Sequence, residues 1–470
     1  MLNSQMNFAG QKECGTIDSL LTVKVPVWYG SGGKVSSEWL SVCAEERHRT
    51  RDLMERISDP LNLQKACKQV VRNGGVGGID GMTVKDLKGW MSKNVFSLSE
   101  ELKSGKFRAQ ATREVLIPKP QGGTRQLGIP TVIDRLVQQA ISQVLTMHYD
   151  PTFSPNSFGF RPHRGAHQGL KRASEYIAEG KDVIVDIDLE KFFDKVNHDR
   201  LMWLLSTRIG DVNVLRLIRQ FLKTGIMRGG LVEQRIQGTP QGSPLSPLLS
   251  NIVLDELDQE LHRRDLSFVR YADDMLIFVK HRDKAERVKS EITDVIENRM
   301  KLKVNESKSG IRKRQEVVFL GHSFLSQARL GLSKKNEERF RTKLKELTRR
   351  NQGESLEAVI RKLTGVMRGW LNYFRYAEMK SKMKQIDGWI RRRLKCFRLK
   401  QCKRCIGIVR FLRKLGVEET LCWRLGLSGK GWWRLSNSPA ANMGMNNKWF
   451  DKLGYYSLEK NYEVLHCKSL

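Results

Sequence analysis

The most constraining stretch of the chain is Tyr271-Ala272-Asp273-Asp274. Leu266-Ser267-Phe268-Val269-Arg270 precedes it and Met275-Leu276-Ile277-Phe278-Val279 follows. Both flanks are apolar and rich in β-formers, so the four residues predict the tight connection of a β-hairpin. Two carboxylates on one turn repel each other and call for a cation between them. Hard oxygen ligands suit Mg²⁺, which favours a few carboxylates together with substrate phosphates. A solvated acidic turn is the plain alternative, because turns favour Asp. The rest of the chain has to decide between the two.

The chain has 470 residues, enough for two or three domains. Its 83 Lys+Arg against 51 Asp+Glu give a formal net charge of +32. An excess of that size points to a long polyanion, nucleic acid before a membrane surface. No run approaches the ~18 uninterrupted apolar residues of a spanning helix. The beginning of the chain has no compact apolar run with a cleavage-type end, and eight cysteines in a long basic chain do not make a disulfide scaffold, so a reducing cytoplasm is the expected setting. Cys402-Lys403-Arg404-Cys405, with Cys396 and Cys422 nearby, is a single C-x-x-C in a basic helical stretch. Free thiols are expected there rather than zinc, for want of a second paired motif.

Residues 1–50 show no sustained period and predict a poorly ordered extension, with order beginning near Ser58-Asp59-Pro60. The glycine-rich loop Asn73 to Gly81 lacks the Gly-Lys-Ser/Thr ending of a P-loop, and Thr83 is expected to cap the next helix. Arg113 to Ile129 predicts a basic hairpin with Lys119 and Arg125 near its two ends, long cations able to clamp a triphosphate. Thr131 to His148 predicts an amphipathic helix. In Asp182-Val183-Ile184-Val185-Asp186-Ile187-Asp188-Leu189 the acids at 182, 186 and 188 share one strand face. Three acids there make sense if at least one binds a cation. Gln241 projects from the Pro/Gly-fixed loop 238–247, ahead of a helix over 248–261. Helices are also expected over 287–301 and 336–350. Beyond about 330 the chain turns almost wholly helical, with aromatics interleaved among Lys and Arg, a pattern suited to a polyphosphate backbone with exposed bases. The alternative is a bundle whose aromatics form the core, and packed aromatics with outward cations satisfy both.

In order and spacing these blocks resemble the reverse transcriptase and maturase proteins encoded by bacterial group II introns. The motifs that carry the resemblance are Asp188-Leu189-Glu190-Lys191-Phe192-Phe193-Asp194 with Asn197-His198, then Thr239-Pro240-Gln241-Gly242, then Tyr271-Ala272-Asp273-Asp274. Arg368-Gly369-Trp370-Leu371-Asn372-Tyr373-Phe374 and Trp389-Ile390-Arg391-Arg392-Arg393-Leu394 resemble the maturase or thumb domain. The resemblance implies an α+β right-hand polymerase. Fingers and palm with antiparallel sheet would occupy 51–330, a helical thumb/maturase domain 331–428 and a small nucleic-acid-binding module 429–470.

It also implies two Mg²⁺ ions, with Mn²⁺ a possible substitute, held by Asp188, Asp273, Asp274 and the backbone oxygen of Leu189. Lys119, Arg125, Phe193, Gln241 and Lys308 would bind the deoxynucleoside triphosphate, Phe193 excluding a ribose 2′-hydroxyl. Asp186 and Asp194 would be local supports. Arg368, Trp370, Tyr373, Arg391, Arg392, Arg393, Lys400, Lys403 and Arg404 would contact nucleic acid. The expected partners are intron RNA, RNA template, and DNA target and primer, with no membrane. The implied function is intron-encoded RNA-directed DNA synthesis with splicing assistance and retrohoming. The alternatives are a free-standing reverse transcriptase of repair or phage defence, and a splicing factor that does not polymerise. His466 alone follows His322 in the tail, without the paired cysteines of a zinc nuclease, so an endonuclease-lacking type is expected.

Overall fold

The structure is a computed structural model that describes residues 44–118, 124–228, 231–233, 236–240 and 242–467. They form two compact units. The first holds the described residues up to Arg172 with those of Val183–Ile311, the second Ala173–Asp182 with the described residues from Arg312 onward.

In the first unit the basic hairpin forms as β1 (Thr112–Pro118) and β2 (Thr124–Ile129), antiparallel from Arg113↔Ile129 to Pro118↔Thr124. With β4 (Ile226–Arg228) and β5 (Leu231–Glu233) it makes a sheet of order β2-β1-β4-β5. A second sheet of order β6-β7-β3-β8 is built from β6 (Ser267–Tyr271), β7 (Asp274–Val279), β3 (Val183–Ile187) and β8 (Gly310–Lys313). Its core face carries Val185, Ile187, Met275, Ile277 and Val279, all buried, over the helices Ser246–Arg263 and Arg282–Asp294.

Local chemistry explains several boundaries. Thr131 caps the helix Val132–Tyr149, its hydroxyl oxygen accepting the N–H of Asp134 at 3.1 Å. Asn197 accepts from Arg200 N–H and starts the helix His198–Ser206. Thr83 is not a cap. Its hydroxyl and N–H both donate to the Asp86 carboxylate, and the helix begins at Leu87. The helix expected from Arg287 begins at Arg282, because buried Ala285 extends the stripe of Val288 and Ile292 by a turn. Order also begins before Ser58. A helix covers Leu53–Ser58, and upstream of it the Thr50 hydroxyl donates to Arg208 O at 2.7 Å while Glu46 pairs with Arg208.

In the second unit a small sheet of order β11-β10-β9 uses β9 (Val318–Phe319), β10 (His322–Phe324) and β11 (Leu330–Leu332). The helices Lys334–Leu347, Leu356–Phe374 and Lys380–Gln401 then pack on one core. Phe450, Tyr455, Leu458 and Tyr462 of the tail belong to that same core. Fully buried Asp387 fastens them. Its carboxylate accepts the Tyr455 hydroxyl, the Ser457 hydroxyl and the N–H groups of Leu458 and Glu459, at 2.7 to 3.0 Å. It thus caps the helix Leu458–Cys467 from a distant segment. Cys402, Cys405 and Cys422 are free thiols packed in a neighbouring small apolar core.

Candidate active site

β3 and β7 pair antiparallel, with Asp186↔Leu276 and Ile187↔Met275. One further step of that register sets Asp188 across from Asp274. The hairpin closes Tyr271 onto Asp274, leaving Ala272 and Asp273 as its two-residue turn. Ala272 adopts φ +58°, a left-handed conformation that costs an L-residue about 1 kcal/mol.

What holds that strained turn lies beneath it. Arg270 is fully buried and grips buried Asp258 with two bonds, 2.7 and 2.6 Å. Its remaining nitrogen donates to Asn251 Oδ1 at 3.1 Å and to the carbonyl of Ala272 at 3.0 Å. Asn251 in turn donates to Gly159 O at 2.9 Å. Gly159 touches the turn so closely that a Cβ there would lie 2.3 Å from Ala272 N, so only glycine fits.

Asp188 is clasped by the loop before β8. Asn305 Nδ2 donates to its Oδ2 at 3.0 Å and Lys308 Nζ to the same oxygen at 3.2 Å. Asp188 N–H donates to Ser309 Oγ at 2.9 Å, and Asn305 N–H to Asp188 O at 2.8 Å. Leu189 pairs with Val304, and the flanking bonds use Asp188 O and Glu190 N–H, so this bridge does not consume the Leu189 carbonyl.

The carboxyl of Asp274 is raised to about 6, by desolvation first and then by the charges of Asp273, Asp188 and Asp186, with Lys308 opposing. Asp274 keeps solvent contact, so repulsion among the carboxylates is the firmer of these causes. Among the described residues no three His, Cys, Asp or Glu side chains close into a metal cage. Mg²⁺ does not require one, since it retains waters and takes substrate oxygens beside one or two carboxylates. The donors are all oxygen, they oppose one another's ionisation, and a lysine is already drawn onto one of them. Such a set fits a divalent cation.

Phe193 meets Phe192 edge-on at 5.3 Å, and its carbonyl accepts Thr239 N–H at 2.6 Å. Gly238, at φ +85°, packs against the Phe193 and Asp194 carbonyls and brings the loop before Gln241 alongside. Phe193 lines a cavity of about 530 Å³ with Leu127, Arg135, Gln139, Phe160 and Ser243. Lys119, Gln241 and the side chain of Arg125 lie outside the described residues.

In the second unit the expected nucleic-acid residues divide. Trp370 stacks on Phe340 at 3.9 Å, Tyr373 donates to Leu320 O, Arg391 approaches Asp387, and Arg393 ties down Thr348 and the Lys345 carbonyl. Lys400 bonds Asn351 and Arg392 lies on the Trp433 ring. Arg368, Lys403 and Arg404 are exposed.

Sequence reasoning missed Arg270, Asp258, Asn251, Gly159, Asn305 and Ser309 as supports of the acids. Only the unusual Arg between Val269 and Tyr271, inside an apolar strand, signalled any of them.

A family model described as reverse transcriptase (RNA-dependent DNA polymerase) matches residues 117–324. Another, the group II intron maturase-specific domain, matches 337–416. Protein YkfC of Escherichia coli (strain K12) is 30% identical over 356 residues, 67% of this chain and 92% of that protein. Group II intron-encoded protein LtrA of Lactococcus lactis subsp. cremoris is 29% identical over 300 residues, half of each chain. A chain of a partial Cas6-RT-Cas1–Cas2 complex, 25% identical, aligns over 53% of this chain and 43% of its own with a TM-score of 0.34, too loose to add to the argument. No described helix is long and apolar enough to cross a membrane. The acidic hairpin, the two consecutive family matches and the nearly full-length relative agree that the chain belongs to the group II intron reverse transcriptase/maturase family, whose activity is RNA-directed DNA polymerisation.

Proposed function

We propose that the chain joins deoxynucleotides to a primer by two-metal nucleotidyl transfer, with Asp188, Asp273, Asp274 and the Leu189 carbonyl as ligands. The carrying observation is the β3–β7 register, which brings Asp188 to Asp274 across two strands although like charges so placed destabilise a sheet. Asp188, Asp273 and Asp274 would hold divalent cations there, which would supply activation of the primer 3′-hydroxyl and offset charge on the phosphates. The chain's own part is positional. The loop 305–309 fixes Asp188, and the Arg270 network fixes the turn that carries Asp273. Lys308, whose exposed side chain donates to Asp188 at 3.2 Å, would be the cation offered to the phosphates in this reading. Phe193 walls the cavity where a sugar would sit and bars a 2′-hydroxyl. Lys119, Arg125 and Gln241 complete the nucleotide contacts in this reading.

The partners we propose are an RNA template, a DNA primer and target, and the parent intron RNA. The chain assists that RNA in splicing and copies it during retrohoming, a reading supported by the maturase-domain match. Asp273→Asn is expected to abolish primer extension on an RNA template in Mg²⁺ while leaving RNA affinity unchanged. Extension that survives would sink the site assignment. The RNA that co-purifies tests the second half, with a folded intron expected and bulk cellular RNA counting against it.

A further inference from the structure

Away from the acidic site, the second unit holds a cavity of about 430 Å³ between the helix Lys380–Gln401 and the segment 421–440. Among the described residues four cations line it, Arg392, Arg424, Lys430 and Arg434, and no acid does. Gathering like charges around one hollow is unfavourable unless an anion enters it. The walls are firm, because Leu425, Leu435 and Ala440 are buried in the small apolar core behind them. Arg392 is also pre-positioned. Its guanidinium lies 4.0 Å from the Trp433 ring centroid and donates to Trp433 O at 3.0 Å. Asn437, Ser428 and Ser438 add neutral polar groups to the wall, so the hollow offers bonding for more than charge. Its volume lies in the range that holds a small ligand.

We propose that this cavity seats one nucleotide unit of a bound strand, its phosphate among Arg392, Arg424 and Arg434 and its base or sugar against the neutral wall. This extends the nucleic-acid reading above and rests on it. A cluster of surface cations would bind diffusely, whereas a walled hollow holds one phosphate at one place. Such a seat would fix a strand's register far along the chain from the acidic hairpin.

The test measures affinity of the full chain for short RNA and DNA single strands across a salt series. Arg424→Gln with Arg434→Gln, both exposed, should weaken binding about tenfold and shrink the salt slope by about 1, one phosphate contact. Asn437→Trp, which fills the hollow without changing charge, should weaken binding similarly. The pair Arg339→Gln with Lys384→Gln removes equal charge elsewhere on the unit and should do less. Loss confined to RNA or to DNA, or shared by both, names the strand that is seated. If the control pair matches the cavity pair, or if Asn437→Trp binds as the parent does, there is no seat. Wild-type protein that binds neither strand would instead overturn the nucleic-acid reading itself.

Discussion

The buried guanidinium of Arg270 holds the carbonyl of Ala272, the first residue of the acidic turn, at 3.0 Å while clamped to Asp258. The pair thus couples the interior of the palm to the backbone that carries Asp273. Arg270→Met leaves the Asp258 charge uncompensated and should cost about 3–5 kcal/mol in urea unfolding. Arg270→Lys restores charge but not the planar fork. It should recover much of the stability while primer extension stays low. Parallel recovery of both would make the residue merely structural.

Gly159→Ala is a sharper probe of the same turn. The added methyl meets backbone, not a movable side chain, so the turn itself must shift. Extension should fall more than tenfold, with RNA affinity unchanged, because displacing a reactive group by about 1 Å can lose a hundredfold. A fully active variant would show that the turn tolerates displacement.

Asp387→Ala removes the acceptor of four hydrogen bonds at once and leaves Tyr455 and the start of the helix Leu458–Cys467 without it. The loss should be about 3 kcal/mol or more, since each orphaned buried donor costs about 1–3. Limited proteolysis should then cut first within 455–467. An unchanged cleavage pattern would contradict this anchoring.

Asp134 supplies a pH signature. It is 2% exposed, and burial raises its carboxyl to about 6, against hydrogen bonds from Thr131 and Gln110 that lower it. Below about pH 4 it is protonated folded and unfolded, so it contributes no difference. Between about 4 and 6 only the unfolded chain ionises, and stability falls by up to about 3 kcal/mol. Above 6 the loss is complete. The stability of wild type minus that of Asp134→Asn should therefore decline across that window and level off. Urea titrations at each pH check it, and a rising difference would mean that folding favours the ionised carboxylate instead.

The acids were legible because their signal is local. Alternation placed Asp186 and Asp188 on one side of β3, and apolar flanks framed Asp273-Asp274. Their supports were not legible. Asp258 sits on an apolar-striped helix and alone passes for a surface charge; Arg270 is conspicuous inside an apolar strand, but only the packing of helix on sheet gives it its partner. Asn305 and Ser309 reach Asp188 across more than a hundred residues, which no period encodes. Asp387, within a basic helix, gave no hint that it would cap a helix starting at Leu458. Aromatic residues in the thumb stretch were legible as a group but not individually, since packing alone decides that Trp370 meets Phe340.

The pairing of β3 with β7 has an evolutionary consequence. Sliding one strand by a residue would turn Asp186 toward the apolar interior and swing Ile187 out of it. The alignment that buries Val185 and Ile187 is therefore the one that brings Asp188 to Asp274. Selection for a folded sheet keeps the two acids together without having to see their use. Mutations that loosen the acids by shifting the strands would be removed first as misfolded protein, before any defect in copying was exposed.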